Sequence, residues 1–139
     1  MKWLLDNNVL LSAIDAGHLH HAVSRAWLDA HKADGWCVTV ETYLGVIRAL
    51  MNTSIMRGRP LKTRAAVDAV TTEVLGGGTP GQIVHAEPSA AFLYKAQGHG
   101  QIMDFHLVTV ASAQGARVVT RDNGILTAFP AFSHYPKSD

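Results

Sequence analysis

The fold is decided by Met1–Asp15, MKWLLDNNVLLSAID. Trp3, Leu4 and Leu5 form a short continuous apolar run, the pattern of a strand buried on both faces. Asp6, Asn7 and Asn8 follow, and then VLLSAI is apolar again and reads as a helix that stops near Gly17. A carboxylate and two amides therefore lie between two segments that both favour burial. In an open parallel sheet that position is the carboxyl end of a strand, where ligands bind.

The rest of the chain repeats the alternation. HHAVSRAWLDAHKA carries Ala22, Val23, Ala26, Trp27 and Ala30 at helical spacings. GWCVTV is a second short strand with β-branched residues. Thr42 is positioned to cap a helix over YLGVIRALMN, and Thr63 to cap RAAVDAVTTEVL, which GGGTPG ends. QIVHAE, ARVVTRD and AFSHY are further strand segments. SAAFLYKAQG and MDFHLVTVASAQG are helical, the latter ending at Gly115. Short apolar strands alternating with helices predict an α/β fold. Its form is a three-layer sandwich with a central, mostly parallel sheet of four to five strands and helices on both faces.

Composition bounds the partners. One domain over residues 1–139, with 47% hydrophobic and 17% charged residues, is expected to bury a real core. A net charge of +1 supplies no global field for nucleic acid, so any such site is local. The single Cys37 excludes an internal disulfide and suits a reducing, cytoplasmic setting, with the thiol in the core. No apolar run is long enough to span a membrane, and Asp6 interrupts the N-terminal stretch too early for a signal peptide.

Three acids fall at element ends. Asp6 follows the first strand, Asp122 follows RVVT, and Asp104 lies in the first turn of DFHLVTVASA. Carboxylates held together repel unless a cation neutralises them, and hard oxygen donors suit Mg²⁺ or Mn²⁺ rather than zinc. Each also has a simpler reading. Asp104 would serve as an N-cap, Asp122 as a turn residue, and Asp6 as a cap, although Asn7 or Asn8 would cap without burying a charge.

Together these segments resemble a PIN domain, specifically the VapC-type toxin ribonucleases, over essentially the whole chain. LLDNNVLL resembles the family's opening LLDTNVLI, with Asn7 in place of the usual Thr. HLHHAVSRAWL and VTVETYLGVIRALMN resemble its next helical segments. GHGQIMDFHLVTVASAQGARVVTRDNGI resembles its closing G…DAHL…A…G…LVT.D.GF. The resemblance implies a Mg²⁺-dependent endoribonuclease acting on tRNA or rRNA, with Mn²⁺ as a substitute. It also implies a homodimer and a VapB-like antitoxin that blocks the site. It makes Asp6 and Asp104 the principal metal ligands, with Asp122 as the closing acid. Asn8 matches the amide of the opening motif, and Thr120 a residue that hydrogen-bonds near the acids.

One position departs from the pattern. Gly45 stands where many relatives have Glu; Glu41, one turn earlier, would share a face with it and either replace it or remain a solvated first-turn acid. The departure allows an alternative, a non-catalytic PIN domain that grips RNA or a partner. A receiver-like or phosphatase-like domain fits less well, because Asn7 and Asn8 stand where such domains place a second acid. Arg57, Arg59, Lys62 and Arg64 lie within eight residues, and Arg121 adjoins Asp122. These five are candidate phosphate contacts, or solvated and paired charges. Arg48 would pair with a site carboxylate or face solvent.

Overall fold

The computed structural model describes residues 1–137. Five strands form one parallel sheet in the order β3-β2-β1-β4-β5. They are β1 (Lys2–Leu5), β2 (Trp36–Thr39), β3 (Gln82–Val84), β4 (Ala116–Val119) and β5 (Ser133–His134). Seven α-helices among the described residues connect and cover them: α1 (Asn7–Ile14), α2 (His21–His31), α3 (Val40–Leu50), α4 (Thr63–Leu75), α5 (Ala90–Leu93), α6 (Ile102–Ala113) and α7 (Asn123–Ala128).

Side chains alternate across a strand, so β1 feeds two cores. Trp3 and Leu5 join Val9, Leu10, Leu28, Val46 and Val70 beneath α1–α4. Leu4 joins Cys37, Phe105, Val108, Val118 and Ile125 beneath α6 and α7. The expected three layers are therefore present. Burial pushes the Cys37 thiol up to about 11, as expected of a core residue with no chemistry of its own. Trp27 and Trp36 are also buried, Trp27 stacked on His31 at 4.1 Å between centroids. No helix among the described residues is long and apolar enough to cross a membrane.

Register positions the sheet's rim. Leu5 pairs with Val119 and Leu4 with Cys37, so β1, β2 and β4 end side by side. The chain runs outward from β1 to β3 on one side and returns to β4 on the other. The crevice between β1 and β4 is thus the point where strand order reverses.

Several local expectations are corrected. α3 begins before Thr42: Thr39 is its N-cap, its Oγ1 accepting from the Thr42 N–H at 3.0 Å. Thr42 is buried inside the helix instead. Lys62, not Thr63, occupies the N-cap of α4 and makes no side-chain cap bond. The third strand and the α5 helix are shorter than the sequence pattern suggests. α7 was not apparent in the sequence, because its opening Asn123-Gly124 reads as a turn. Gly115 ends α6 as expected, with φ 63°, a conformation costly for other residues.

These caps give a direct comparison. Thr39→Ala should lower stability in urea unfolding by about 1 kcal/mol, since it removes a cap acceptor. Thr63→Ala, at an exposed first-turn position, should change it by less than about 0.5 kcal/mol.

Candidate active site

Asp6 leaves β1 at the rim and caps α1. Its backbone N–H donates to the Val119 carbonyl at 3.0 Å, continuing the β1/β4 pairing by one residue. Its Oδ1 accepts from the Asn7 N–H at 2.7 Å. Its Oδ2 accepts from Thr120 Oγ1 at 2.7 Å and Asn8 Nδ2 at 3.3 Å. Only 6% of Asp6 is exposed, so an ionised form here depends on those donors. Burial raises its pKa above the ordinary carboxylate value; Thr120 and the Asn7 N–H draw it back, and the Asp122 charge adds to the rise. Asp6 thus caps α1 through Oδ1, while its Oδ2 is held by Thr120 and Asn8.

Asn8 and Thr120 act as the expected supports. Asn8 Nδ2 also reaches Thr120 Oγ1 at 3.4 Å, while its Oδ1 accepts from the Arg121 N–H at 3.2 Å. Thr120 is fully buried, and its Oγ1 accepts from the Asp122 N–H at 3.0 Å. One hydroxyl therefore couples the loop after β4 to the carboxylate after β1.

Asp122 is the N-cap of α7. Its Oδ1 accepts from the N–H groups of Gly124 and Ile125 at 2.7 and 3.2 Å. That is more specific than a turn residue. Asp104 does not cap α6, because Gln101 holds the cap position. It stands instead in the helix's first turn, half-buried, with Asp122 and Asp6 nearby. Burial, then the charge of Asp122, then that of Asp6, raise it from the usual 3.8 to about 6.

Asp6, Asp104, Asp122 and Glu41 line one cleft of about 290 Å³, together with Asn7, Asn8, Thr42, Met103 and Leu107. Glu41 sits exposed in the first turn of α3 at this cleft. Among the described residues, no three acidic, histidine or cysteine groups close on one point as a ready-made metal site. The donor set is nonetheless all hard oxygen, and burial first, with neighbouring acids after it, makes ionised Asp6 and Asp104 costly here. That chemistry fits a divalent cation of the Mg²⁺ type.

The basic residues fall elsewhere. Arg57, at a positive φ of 56°, grips Asp15 with two nitrogens at 3.1 and 3.0 Å. Burial raises Asp15, but the Arg57 and Gly17 hydrogen bonds outweigh it and hold the carboxyl below its ordinary value. Arg57 is exposed and paired with Asp15, which is the paired-charge reading of this residue. Arg64 lies 3.9 Å from Asp68, and Arg59 and Lys62 are exposed. None of the four lines the acidic cleft. Arg121 turns away from it too, its Nη1 donating to Ser12 Oγ at 3.3 Å and its guanidinium 5.8 Å from the Tyr135 ring.

Asn7 and Gly45 are explained together. Thr42 Oγ1 donates to Asn7 Oδ1 at 2.6 Å, and a Cβ on Gly45 would lie 2.6 Å from Asn7 Nδ2. The Asn7 amide occupies space that a side chain at position 45 would need. The two positions lie 38 residues apart and only spatial contact links them.

The family model described as PIN domain matches residues 3–129. Ribonuclease VapC39 of Mycobacterium tuberculosis is 31% identical over 124 residues, covering 88% of this chain and 89% of that protein. Ribonuclease VapC38 of the same organism is 29% identical over 126 residues, covering 89% and 87%. Ribonuclease VapC41 is 30% identical over 141 residues, covering 93% and 92%.

Asp104 gives a pH test. A carboxyl whose pKa is raised by folding favours its protonated form, so its contribution is lost as pH rises from about 4 through about 6. Without divalent cations, Asp104→Asn should therefore stabilise the protein above pH 7 by on the order of 1 kcal/mol, allowing for solvent screening. The gain should vanish near pH 3. Urea unfolding of both proteins across that range checks it.

Proposed function

The chain belongs to the PIN-domain family, and on that premise we propose that it is a Mg²⁺-dependent endoribonuclease of the VapC toxin type. The observation that carries the proposal is the convergence of Asp6, Asp104 and Asp122 on one cleft at the switch point of the sheet. The relatives' names, ribonucleases in each case, support the same reading.

Asp6, Asp104 and Asp122 would hold the ion, with Mn²⁺ able to replace Mg²⁺. When bound, such an ion lowers the pKa of water and neutralises charge on the phosphate. The remaining tasks fall to the chain's own groups. Thr120 and Asn8 fix the Asp6 carboxylate, so that little reorganisation is needed when substrate arrives. The hydrogen bond from the Asp122 N–H to Thr120 ties the third carboxylate to the same frame. Glu41 lines the α3 side of the cleft and would orient a water or a further ligand. With Gly45 lacking a side chain, three aspartates and one ion are the simpler arrangement. The proposal includes a tRNA or rRNA target, a VapB-like antitoxin, a homodimer and a cytoplasmic setting.

A second reading is a PIN domain that binds RNA or a partner without cutting. Gly45 and the open spacing of the acids favour it. Purified protein incubated with defined tRNAs in Mg²⁺ or Mn²⁺, with an EDTA control, separates the two. Metal-dependent fragments are expected, and Asp6→Ala or Asp104→Ala should reduce their rate by at least about 100-fold with the fold retained by circular dichroism. RNA retained without fragments, or full activity in both variants, would overturn the nuclease proposal.

A further inference from the structure

We propose that the groove between α1 and α3 is a nucleobase subsite, taking the base of a nucleotide adjoining the scissile phosphate. The inference rests on the nuclease reading above and extends it to a second place on the surface. The groove has a volume of about 470 Å³, ample for a base. Leu11, Val46, Ala49 and Ile55 supply apolar walls, while Asn7 and Asn8 form the end nearest the acids. The same two asparagines line the acidic cleft, so a nucleotide chain can pass from one to the other across them.

The polar groups of the groove are suited to a nucleotide. The Asn7 amide is oriented by the hydroxyl of Thr42, which donates to its Oδ1, leaving Nδ2 as a donor on an exposed residue. The Oδ1 of Asn52, another groove residue, accepts from the Ile55 N–H at 2.9 Å, which likewise leaves its NH₂ group as a donor. Arg48 lies three residues beyond Gly45 on the same helix face and is exposed. It makes no ion pair and donates no side-chain hydrogen bond among the described residues, unlike Arg57 with its grip on Asp15. An apolar slot bearing amide donors and one unmatched cation complements a base and its phosphate. It continues directly into a site for phosphodiester chemistry.

Gly45 is what keeps this slot open. Any side chain there would meet Asn7 Nδ2 at 2.6 Å, displacing the amide from the boundary and projecting into the groove. A larger residue at position 45 would therefore crowd both the Asn7 amide and the groove that it borders.

The test uses the full chain with a pool of 12-mer RNAs of random sequence, in Mg²⁺, with the product ends sequenced and KM and kcat measured on one preferred oligomer. Wild type should show a base preference at one position next to the cut. Ala49→Leu and Gly45→Val fill the groove from different sides, so that one remains informative if the other fails to fold. Each should flatten that preference and raise KM by at least about fivefold, with kcat changed less. Arg48→Ala should weaken binding with a shallower salt dependence, by about one phosphate contact. If wild type cleaves but the folded filling variants keep its KM and base preference, the subsite is wrong and the nuclease reading stands. If those variants lose only binding of a protein partner, the groove's occupant is a protein and the subsite is likewise wrong. If wild type cuts no RNA, the nuclease reading falls and the subsite falls with it.

Discussion

The parallel pairing of β1 with β4 is the constraint on which the rest depends. Leu5 opposite Val119 is an ordinary ladder contact, continued by the Asp6 N–H to the Val119 carbonyl. It brings residues 114 positions apart in sequence to one rim, where Thr120 donates to Asp6. A one-residue slip would turn the inward faces of the strand outward and separate that pair. The two apolar cores above and below β1 hold the register, so packing of Trp3, Leu4 and Leu5 underwrites the position of a carboxylate.

That position is electrostatically costly. Asp6 and Asp104 are both raised, by burial first and by neighbouring acids after it. Hydrogen bonds relieve Asp6, whereas Asp104 lies in a helix's first turn without serving as its cap. The fold therefore retains a destabilising concentration of negative charge at its switch point. A core residue would not be expected to stay so placed, since local rules are broken mainly where function requires it. The Arg57–Asp15 clamp is the contrasting case: there an acid is matched by a cation and held below its ordinary pKa.

Much of this was legible in the sequence because its signals are local. Apolar runs of strand length and Gly115 after a helical period identified the layers. The acids at element ends mark the rim, and Asn8 and Thr120, both within hydrogen-bond reach of Asp6, lie in motifs visible in the sequence. What escaped depended on contacts distant in sequence or on competing local signals. Thr39 and Thr42 are both plausible caps, and only the start of α3 decides between them. Asn123-Gly124 disguised α7 as a turn. For Arg57 and Arg121 the sequence leaves phosphate contact and pairing both open, because Asp15 and Ser12 come beside them only in space. The exchange of space between Asn7 and Gly45 spans two helices and has no signature in either alone.

On the proposed function, Asp6, Asp104 and Asp122 together bind one divalent ion that offsets their charge. Calorimetric titration of the full chain with Mn²⁺ at pH 6 and pH 8, in buffers of different ionisation enthalpy, tests it most directly. With Asp104 near pKa 6, binding of one ion should release about half a proton at pH 6 and almost none at pH 8. Asp104→Asn should abolish both the release and most of the affinity. Absence of Mn²⁺ binding, or binding and proton release unchanged in Asp104→Asn, would contradict the account.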